Sequence, residues 1–509
     1  MNTSILRIAL STALLALAAC TVGPDFHRPV ASLPARWHVD QPAATNSSAH
    51  ASPSSSRIVD GALDAPWWDT FHDAELSALI ARVANDNLDV KSAGARLLQA
   101  RAARAVSGAD ALPAIEGTAA YQHARSSRNG LLDAAGFDGK HDYNLWQPGL
   151  DATWELDLWG RVRRANEAAD ATVEADADLR RDVLLATLAE TTSDYLQLRG
   201  VQAQQQIVTQ NLEIARHSLA LTKIRFADGV ATRLDMAEAA AQVSTIEAQL
   251  PLLDNQRKRL VNALSFLIAA PPRTLESELR TAAPMPALPA NVPAGLPSEL
   301  AERRPDIRAA EARLHAATAA IGVAAGDFYP RVTLSANLSL QALHAGDLDE
   351  WSSRMFGIGP SLSVPLFEGG RLKGRLALRE AQQQQAALDF QRTVLNAWHE
   401  VDDAMSDYSA RQVHRERLAE AVEQNRIALD NAQRQYVAGA ADFLNVLTVQ
   451  RDLLATQRAL AVSSTEVAVS LVTLFKALGG GWQSTFPAAS NPDPSRGAGR
   501  LSGATDHDA

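Results

Sequence analysis

The sequence has few of the features that assign a function most directly. Its 509 residues contain one cysteine, Cys20, which excludes an intrachain disulfide and a thiolate metal cluster. Aromatic residues make up only 5% of the chain, which favours long helices over a thick globular core. The 48 Lys and Arg residues are outnumbered by 58 Asp and Glu, which argues against nucleic acid as a partner. Beyond the N-terminal stretch no run of 18 apolar residues occurs, so any further membrane contact must be made by strands.

Catalytic motifs are missing as well. The HExxH, GxSxG and P-loop patterns do not occur, and the segment 357–359 lacks the third glycine of a dinucleotide-binding loop. The twelve histidines are scattered without the spacing of metal ligands, so we interpret each as a surface residue. The sequence therefore predicts a protein that is not an enzyme and that holds no cofactor or metal.

The N-terminus has the pattern of an exported lipoprotein. Arg7 precedes about a dozen apolar residues, which is too short for a mature membrane span and fits a signal peptide over residues 1–19. The tetrad Leu17-Ala18-Ala19-Cys20 resembles the bacterial lipobox, in which the cysteine is acylated and becomes the first residue. The alternative is an ordinary signal peptide with an incidental cysteine. Residues 20–62, rich in Pro, Ser and Ala, are interpreted as a linker from the lipid.

The rest of the chain is organised around a strand-to-helix unit that occurs twice. From Leu150 to Leu158 apolar residues alternate with acidic or polar ones, which is the period of a two-faced strand. The alternation stops at Gly160, and a long polar helix follows. The second copy alternates over 358–366 and stops at Gly369 and Gly370. The chain is thus predicted to contain two copies of one unit, each a helix, a hairpin, a long helix and a shorter helix.

The predicted elements follow this repeat. Pro113 and Pro330 end the first helix of their respective copies, and Gly229 and Gly439 take the same place in the two later turns. We expect the first repeat over 63–270, a Pro-rich connector over 271–297, the second repeat over 298–478, and a disordered tail over 479–509. Helices are predicted at 73–110, 161–226, 232–268 (kinked at Pro251), 300–329, 371–436 and 442–478, and strands at 115–122, 150–158, 332–340 and 358–366.

Four amphipathic strands cannot close a barrel, and an open strand edge is not tolerated in hydrocarbon. A membrane-spanning chain of this kind must therefore form an oligomer, in which a dimer would have eight strands and a trimer twelve. The alternative is a soluble sheet with one face on a protein core. No other element is available to cover that face, so the pattern favours the membrane.

Several blocks resemble the TolC and OprM family of outer-membrane channels. They include LDATWELDLWGRVRR, LAERRPDIRAAEARLHAATAAIGVAAGDFYP, SVPLFEGGRLKGRL and QYVAGAADFLNVLTVQRDLL, and with its lipobox the chain is most similar to the NodT-type lipoprotein branch. The resemblance implies a homotrimer with a 12-strand barrel in the outer membrane and a 12-helix periplasmic tunnel. It also implies docking to a periplasmic adaptor and to an inner-membrane pump, usually of the resistance-nodulation-division type.

The resemblance further implies a passive duct for small molecules, anchored by lipid in the bacterial outer membrane and narrowed at its periplasmic tips. The tips are the turns at Gly229 and Gly439. By alignment on these glycines, Asp235 takes the family's acidic gate position, whereas the second tip has Asn445 and Thr448 at positions that are usually acidic. Leu444 is the expected apolar constriction. The alternative for Asp235 is a first-turn helix residue. The alternative functions are a type I protein-secretion channel and a periplasmic coiled-coil lipoprotein without a pore.

Overall fold

The computed structural model describes residues 21–29, 37, 56–59, 61, 66–125, 127, 142–483 and 485–486. The predicted signal peptide, Cys20, most of the linker and tail, and most of the loop predicted between the first two long strands lie outside these residues. In chain order the helices are α1 Ala74–Asp86, α2 Leu88–Ala109, α3 Arg161–Ala227, α4 Arg233–Glu247, α5 Leu250–Leu267, α6 Leu300–Arg303, α7 Pro305–Gly326, α8 Arg371–Val437 and α9 Phe443–Ala477. The strands are β1 Arg57–Val59, β2 Ala114–Arg125, β3 Asp142–Leu156, β4 Asn291–Pro293, β5 Arg331–Leu340 and β6 Arg354–Ser363.

The two predicted repeats are present. Helices α2 and α7 have 22 residues each, and the long helices α3 and α8 have 67 residues each. A hairpin connects the two helices within each repeat, β2–β3 in the first repeat and β5–β6 in the second. The prediction of a mainly helical chain with two tandem helix–hairpin–helix repeats is confirmed.

The predicted first helix, 73–110, is wrong in one respect, because it is broken at Asn87. The backbone of Asn87 is extended, and its side-chain Oδ1 accepts hydrogen bonds from the N–H groups of Asp89 and Val90, at 2.9 and 3.1 Å. Asn87 therefore caps α2 and ends α1. In the second repeat the same break falls at Arg304, because the residue before Pro305 is disfavoured in a helix.

Other boundaries also differ from the prediction. The helix predicted over 232–268 is two helices, α4 and α5, and Pro251 lies in the first turn of α5, where its missing N–H costs nothing. Strand β3 begins at Asp142, well before the alternating stretch. Strand β6 was predicted to reach Leu366 but ends at Ser363, two residues before Pro365, which cannot donate to a ladder. The connector 271–297 also contains β4, which pairs in parallel with β1.

The chain divides into two compact units. The first combines the described residues among 1–32, 92–180 and 305–396. It contains one antiparallel sheet in the order β2-β3-β5-β6, together with the parts of α2, α3, α7 and α8 that adjoin the strands. The two hairpins, one from each repeat, therefore lie side by side in one sheet, and β2 and β6 are its edge strands.

The second unit contains the described residues among 33–91, 181–304 and 397–509. Trp67 is fully buried, stacks on Phe475 at 5.3 Å and donates its Nε1–H to the carbonyl of Gly480 at 3.0 Å. Trp482 is also buried, and its Nε1 donates to the carbonyl of Arg303 at 3.0 Å. The predicted disordered tail is therefore wrong at its start, because residues 479–483 pack into this unit.

One helix among the described residues, α9, is long and apolar enough by length and composition to cross a membrane. Its buried residues Val467, Leu471, Leu474 and Phe475 recur at helical spacing, which is the pattern of a helix with one face on a protein core. We therefore interpret α9 as a packed helix of the second unit.

Candidate functional site

The four-stranded sheet of the first unit has an apolar face that the described part of the chain does not cover. Leu150 of β3 pairs with Leu338 of β5, and Leu338 pairs with Phe356 of β6, so these side chains form one row across the sheet. They are 52%, 55% and 84% exposed. Exposed apolar rows of this kind normally mark a surface that is buried against another molecule or a membrane.

The opposite face of the same sheet is polar and also exposed. Asp151 pairs with Glu116 on one side and with Asn337 on the other, and all three side chains are exposed. Thr118 donates a hydrogen bond to Asp151 Oδ2 at 3.2 Å. The sheet thus presents an apolar face and a hydrophilic face, and neither packs on a core within the described chain.

Aromatic side chains mark both ends of this sheet. Tyr121 and Trp146, paired across β2 and β3, have ring centroids 4.5 Å apart. At the helical end, Trp159 packs on Tyr329 at 5.0 Å and donates its Nε1–H to the carbonyl of Pro330 at 2.8 Å. The strands have 10 to 15 residues, and about 9–11 cross a bilayer obliquely. Length and aromatic ends both match a membrane-spanning sheet.

The predicted junction glycines lie between the strands and the long helices. Gly160 and Gly370 have φ values of 78° and 87°, and Gly369 has 56°, so each adopts the left-handed conformation that glycine tolerates. In the first repeat the carboxylate of Asp157 accepts the N–H groups of Val162 and Arg163 at 3.1 and 2.8 Å. The junction therefore turns the chain and caps α3 within a few residues.

Residues 21–29, predicted as part of a linker, pack on this junction and form what we call the N-terminal strap. Val22 donates its N–H to the carbonyl of Trp159 at 3.0 Å, and Asp25 forms an ion pair with Arg164 at 2.5 Å. The hydrogen bond that Arg164 donates to Asp25 Oδ1, together with the positive charge of Arg164, lowers the pKa of Asp25. The ring of Phe26 stacks on His315 at 4.4 Å. The linker prediction is therefore wrong for residues 21–29.

The first tip is the turn between α3 and α4. Gly229 has a φ of 74°, as a tight helix-to-helix turn requires. Thr232 caps α4, and its N–H and hydroxyl donate to Asp235 Oδ2 at 2.7 and 2.8 Å, while Asp235 N–H donates back to Thr232 Oγ1 at 3.1 Å. The carboxylate of Asp235 thus forms a capping box, which is the role of a first-turn helix residue.

The second tip places the three other predicted residues on one exposed face of α9. Leu444, Asn445 and Thr448 are exposed, while Phe443 and Leu447 on the opposite face are buried. Leu444 is 54% exposed, and the Thr448 hydroxyl donates to its carbonyl at 2.9 Å. This turn has a φ of 75° at its glycine, Gly439, matching Gly229.

The two tips are joined by a pair that the sequence patterns did not indicate. The Arg225 guanidinium lies 4.4 Å from the centroid of the Tyr436 ring, and its Nη1 donates to the Tyr436 carbonyl at 3.1 Å. Tyr436 in turn packs on Phe443 at 5.5 Å. The sequence offered one signal for this pair. Arg225 and Tyr436, a cation and an aromatic residue, lie at the ends of the two long helices that correspond in the repeats.

Helix α3 also carries a carboxyl group, that of Asp194, whose pKa is raised. Partial burial and the nearby charge of Glu190, one turn earlier, raise the pKa of Asp194 to about 6. The group therefore titrates close to neutral pH in the folded protein.

The chain matches the family model described as "Outer membrane efflux protein" over residues 79–270 and 296–480. It belongs to the outer membrane efflux protein family. The pyoverdine export outer membrane protein OpmQ of Pseudomonas aeruginosa is 34% identical over 82% of this chain and 88% of OpmQ. Nodulation protein T of Rhizobium leguminosarum is 30% identical over 94% of each chain. The solved outer-membrane channel OprN is 33% identical with a TM-score of 0.83, over 91% of this chain and 100% of the OprN chain.

These similarities confirm the family predicted from the sequence blocks, including its likeness to the nodulation protein T branch. The protein is an outer-membrane efflux channel, and the family assignment confirms that it is not an enzyme. In this efflux channel the structure brings Leu444, Asn445 and Thr448 together at one tip. Asp235 lies at the other tip, where its carboxylate is engaged by Thr232. The strap and the Arg225–Tyr436 pair are the site features that sequence reasoning missed.

Proposed function

We propose that three copies of this efflux channel close their sheets into one 12-strand barrel in the outer membrane. The long helices would continue from it as a 12-helix duct in the periplasm. The observation that carries this proposal is the two-faced sheet, with exposed Leu338 and Phe356 on one face and exposed Asp151 and Asn337 on the other. In a barrel the first face meets lipid and the second lines a water-filled lumen.

The edges of the sheet favour closure by further copies. Within the described chain β2 pairs only with β3, and β6 pairs only with β5, so each leaves one backbone edge open. Unpaired backbone groups in hydrocarbon cost several kcal/mol each, so a sheet of this length in a bilayer must close. Eight strands fill their interior with side chains, whereas twelve leave a passage. Three copies are the smallest number that gives a duct.

We further propose that the duct is the exit of a tripartite system, served by a periplasmic adaptor and an inner-membrane pump of the resistance-nodulation-division type. The cargo would be small molecules that the pump delivers. The name of OpmQ, which refers to pyoverdine export, supports pyoverdine as one cargo to test. No catalytic step is required of this chain.

The lipid anchor is proposed at Cys20, which lies outside the described residues. Its immediate neighbour, Thr21, packs so closely on the strand-to-helix junction that a Cβ at Gly160 would lie 2.8 Å from Thr21 Cγ2. Thr21 therefore lies beside the strand-to-helix junction, and the proposed anchor is the residue before it in the sequence. Acyl groups attached to Cys20 would enter the bilayer next to the strands. The helices of the protein would extend from there into the periplasm.

The periplasmic entrance is proposed at the tips. Leu444 is the better constriction, because it is exposed on the face of α9 that also carries Asn445 and Thr448, and an apolar ring can close a pore by dewetting. Asp235 is the weaker candidate for the constriction, because its carboxylate already accepts two hydrogen bonds from Thr232. Three such tips around one axis would narrow the duct until an adaptor engages them.

Planar-bilayer recording of the purified protein tests the proposal. We expect discrete single-channel steps from a species whose mass in detergent is that of three chains, together with failure of a deletion strain to extrude a fluorescent efflux substrate. Restoration of extrusion by the wild-type gene is the control. A monomeric protein without conductance would contradict the duct, and normal extrusion without the gene would contradict the tripartite role.

A further inference from the structure

The hairpin end of the sheet carries an arginine on its apolar face. Arg354, the first residue of β6, pairs with Leu340 of β5 and is exposed. Its side chain lies on the same face as Leu338 and Phe356, the pair two residues away, because residues two apart in a strand share a face. The long helices leave the sheet at its other end, so Arg354 marks the extracellular end of the proposed barrel.

The position of Arg354 along the strand is close to the boundary of the hydrocarbon. The outward-facing apolar residues of β5 extend from Val332 to Leu340, about 26 Å of strand at 3.3 Å per residue. A tilt of about 40° reduces this to about 20 Å of height, close to the apolar band of about 25 Å in outer-membrane barrels. Tyr121 and Trp146 pair one row further out on the same face. Arg354 thus lies between the last apolar row and an aromatic row, at the depth of lipid headgroups.

The guanidinium of Arg354 lies over an aromatic ring. Its Cζ is 3.9 Å from the ring centroid of Trp351. The Trp351 side chain is 81% exposed, yet its loop is tied down by Ser353, which is buried and donates its hydroxyl to the Asp347 carbonyl at 2.6 Å. Gln341 also donates its N–H to the Ser353 carbonyl at 2.8 Å. An exposed tryptophan on a fixed loop is typical of a membrane interface.

Arg354 has no carboxylate partner among the described residues. Arg331, at the other end of β5, differs in this respect, because it forms an ion pair with Asp327 at 2.6 Å. The Trp351 ring occupies one face of the Arg354 guanidinium and leaves the N–H groups in its plane available. Those N–H groups match an anion that offers two acceptor oxygens, such as a phosphate.

The carboxylates of the same loop do not neutralise Arg354. Asp347 Oδ2 lies 3.3 Å from His344 Nδ1, and Glu350 Oε2 accepts a hydrogen bond from the Ser352 hydroxyl at 3.0 Å. Neither carboxylate forms an ion pair with Arg354 in the described part of the chain. A charge at the boundary of hydrocarbon is costly without an anion, so we expect its partner to come from the membrane.

We propose that Arg354, oriented by Trp351, binds a phosphate of the glycolipid headgroup in the outer leaflet of the outer membrane. That leaflet is built largely of a glycolipid whose diglucosamine headgroup carries phosphate groups, so the anion is present at the depth of Arg354. The trimer holds three such sites around its barrel. This inference rests on the proposed barrel and goes beyond it by naming a lipid that the barrel binds.

Lipid binding by the purified trimer tests this site. The probe is lipid A, the acylated diglucosamine part of that glycolipid, in its bis-phosphorylated form and in its fully dephosphorylated form. Native mass spectrometry in detergent counts the bound lipid, and EDTA removes divalent cations that could bridge a phosphate to the loop carboxylates. The wild type should bind the phosphorylated form more tightly. Arg354→Gln should weaken that binding by about tenfold or more and leave binding of the dephosphorylated form unchanged.

Three further variants separate a phosphate site from a general effect. Arg354→Lys keeps the charge but loses the planar fork, so its affinity should be intermediate. Trp351→Ala lies outside the strands, should also weaken binding, and keeps the site testable if Arg354→Gln does not assemble. Arg417→Gln is the matched control and should bind like the wild type. It removes the same charge at an exposed site on α8, about 70 Å along the helix from its first residue.

The outcomes distinguish this site from the trimer on which it rests. Equal binding of phosphorylated lipid by the wild type, Arg354→Gln and Trp351→Ala would overturn the site and leave the trimer standing. Equal binding of the two lipid forms by the wild type would do the same. Full displacement of the lipid by an equal concentration of inorganic phosphate would show a general anion site and would also overturn it. Absence of a wild-type trimer would overturn the proposed function, and this site with it.

Discussion

The guanidinium of Arg225, at the end of α3, lies 4.4 Å from the ring centroid of Tyr436, at the end of α8, and also donates to the Tyr436 carbonyl. This pair connects the first tip to the second within one protomer. Tyr436 is 9% exposed, so the contact is largely shielded from water. Cation–π contacts stabilise by about 0.5–2 kcal/mol, the larger values being for desolvated pairs. A contact of that strength can favour the narrow arrangement of the tips and still allow them to open.

Replacement of Arg225 by Ala should loosen the tips and raise the conductance of the reconstituted channel, because both the cation–π contact and the hydrogen bond are lost. Tyr436→Phe is the control. It keeps the ring, and the Tyr436 hydroxyl has no hydrogen-bond partner among the described residues, so its conductance should match the wild type. A larger effect from Tyr436→Phe than from Arg225→Ala would refute the role of this pair.

Leu444→Ser should raise conductance independently of Arg225, because it removes an exposed apolar side chain from the proposed constriction. Ile427→Ser, at a 48% exposed site on α8 away from the turn, is the matched control and should conduct like the wild type. Asp235→Ala should act mainly on α4, costing about 1 kcal/mol through loss of the capping box. Single-channel recording separates these outcomes, and unchanged conductance in Leu444→Ser would remove it from the entrance.

The pKa of Asp194, raised to about 6 in the folded chain from an ordinary value of 3.8, predicts a pH dependence of stability. The folded state binds the proton more tightly than the unfolded state, so stability falls as pH rises from about 4 to 6 and stays lower above that. Asp194→Asn should remove this fall and raise stability at pH 7 by about 1 kcal/mol, a figure reduced for solvent access. Thermal unfolding at pH 4.5 and 7.5 checks this, and an equal effect of the substitution at both pH values would contradict it.

Acylation of Cys20 predicts a lipid-modified N-terminal residue in the membrane-extracted protein. Mass spectrometry of the N-terminal peptide should give the mass of diacylated Cys20 followed by Thr21. Cys20→Ala should lose the lipid yet retain some assembly, since the strands carry most of the apolar surface. An unmodified chain beginning at Thr21 or later would show that the tetrad is an ordinary cleavage site.

Local patterns in the sequence were sufficient for the long elements. The uninterrupted polar stretches after Gly160 and Gly370 predicted α3 and α8 to within one residue at each end, because no proline interrupts either stretch. The tip turns were predicted from Gly229 and Gly439, since an αL position at a helix end favours glycine. Strand alternation similarly predicted which face of the sheet is apolar.

Features that depend on distant partners were not predictable in this way. Asn87 ends a helix because its amide both caps α2 and donates to the carbonyl of Leu267 at 2.9 Å, which no local period reveals. The strap was interpreted as a linker because its ordering comes from Trp159, Arg164 and His315, which are far away in the sequence.

The central claim is that the sheet spans a membrane with its apolar face toward lipid, and arginine scanning of its two faces tests it most directly. Leu338→Arg should lower the unfolding free energy in lipid vesicles by about 2–4 kcal/mol, because the charge enters hydrocarbon near the midplane. Ser335→Arg, on the same strand and the opposite, exposed face, should be tolerated because it meets water. Ser339 is less suitable as a control, since it is only 8% exposed beside Gly149. Equal losses at Leu338 and Ser335 would mean that both faces are packed in protein, and the sheet would not be the wall of a channel.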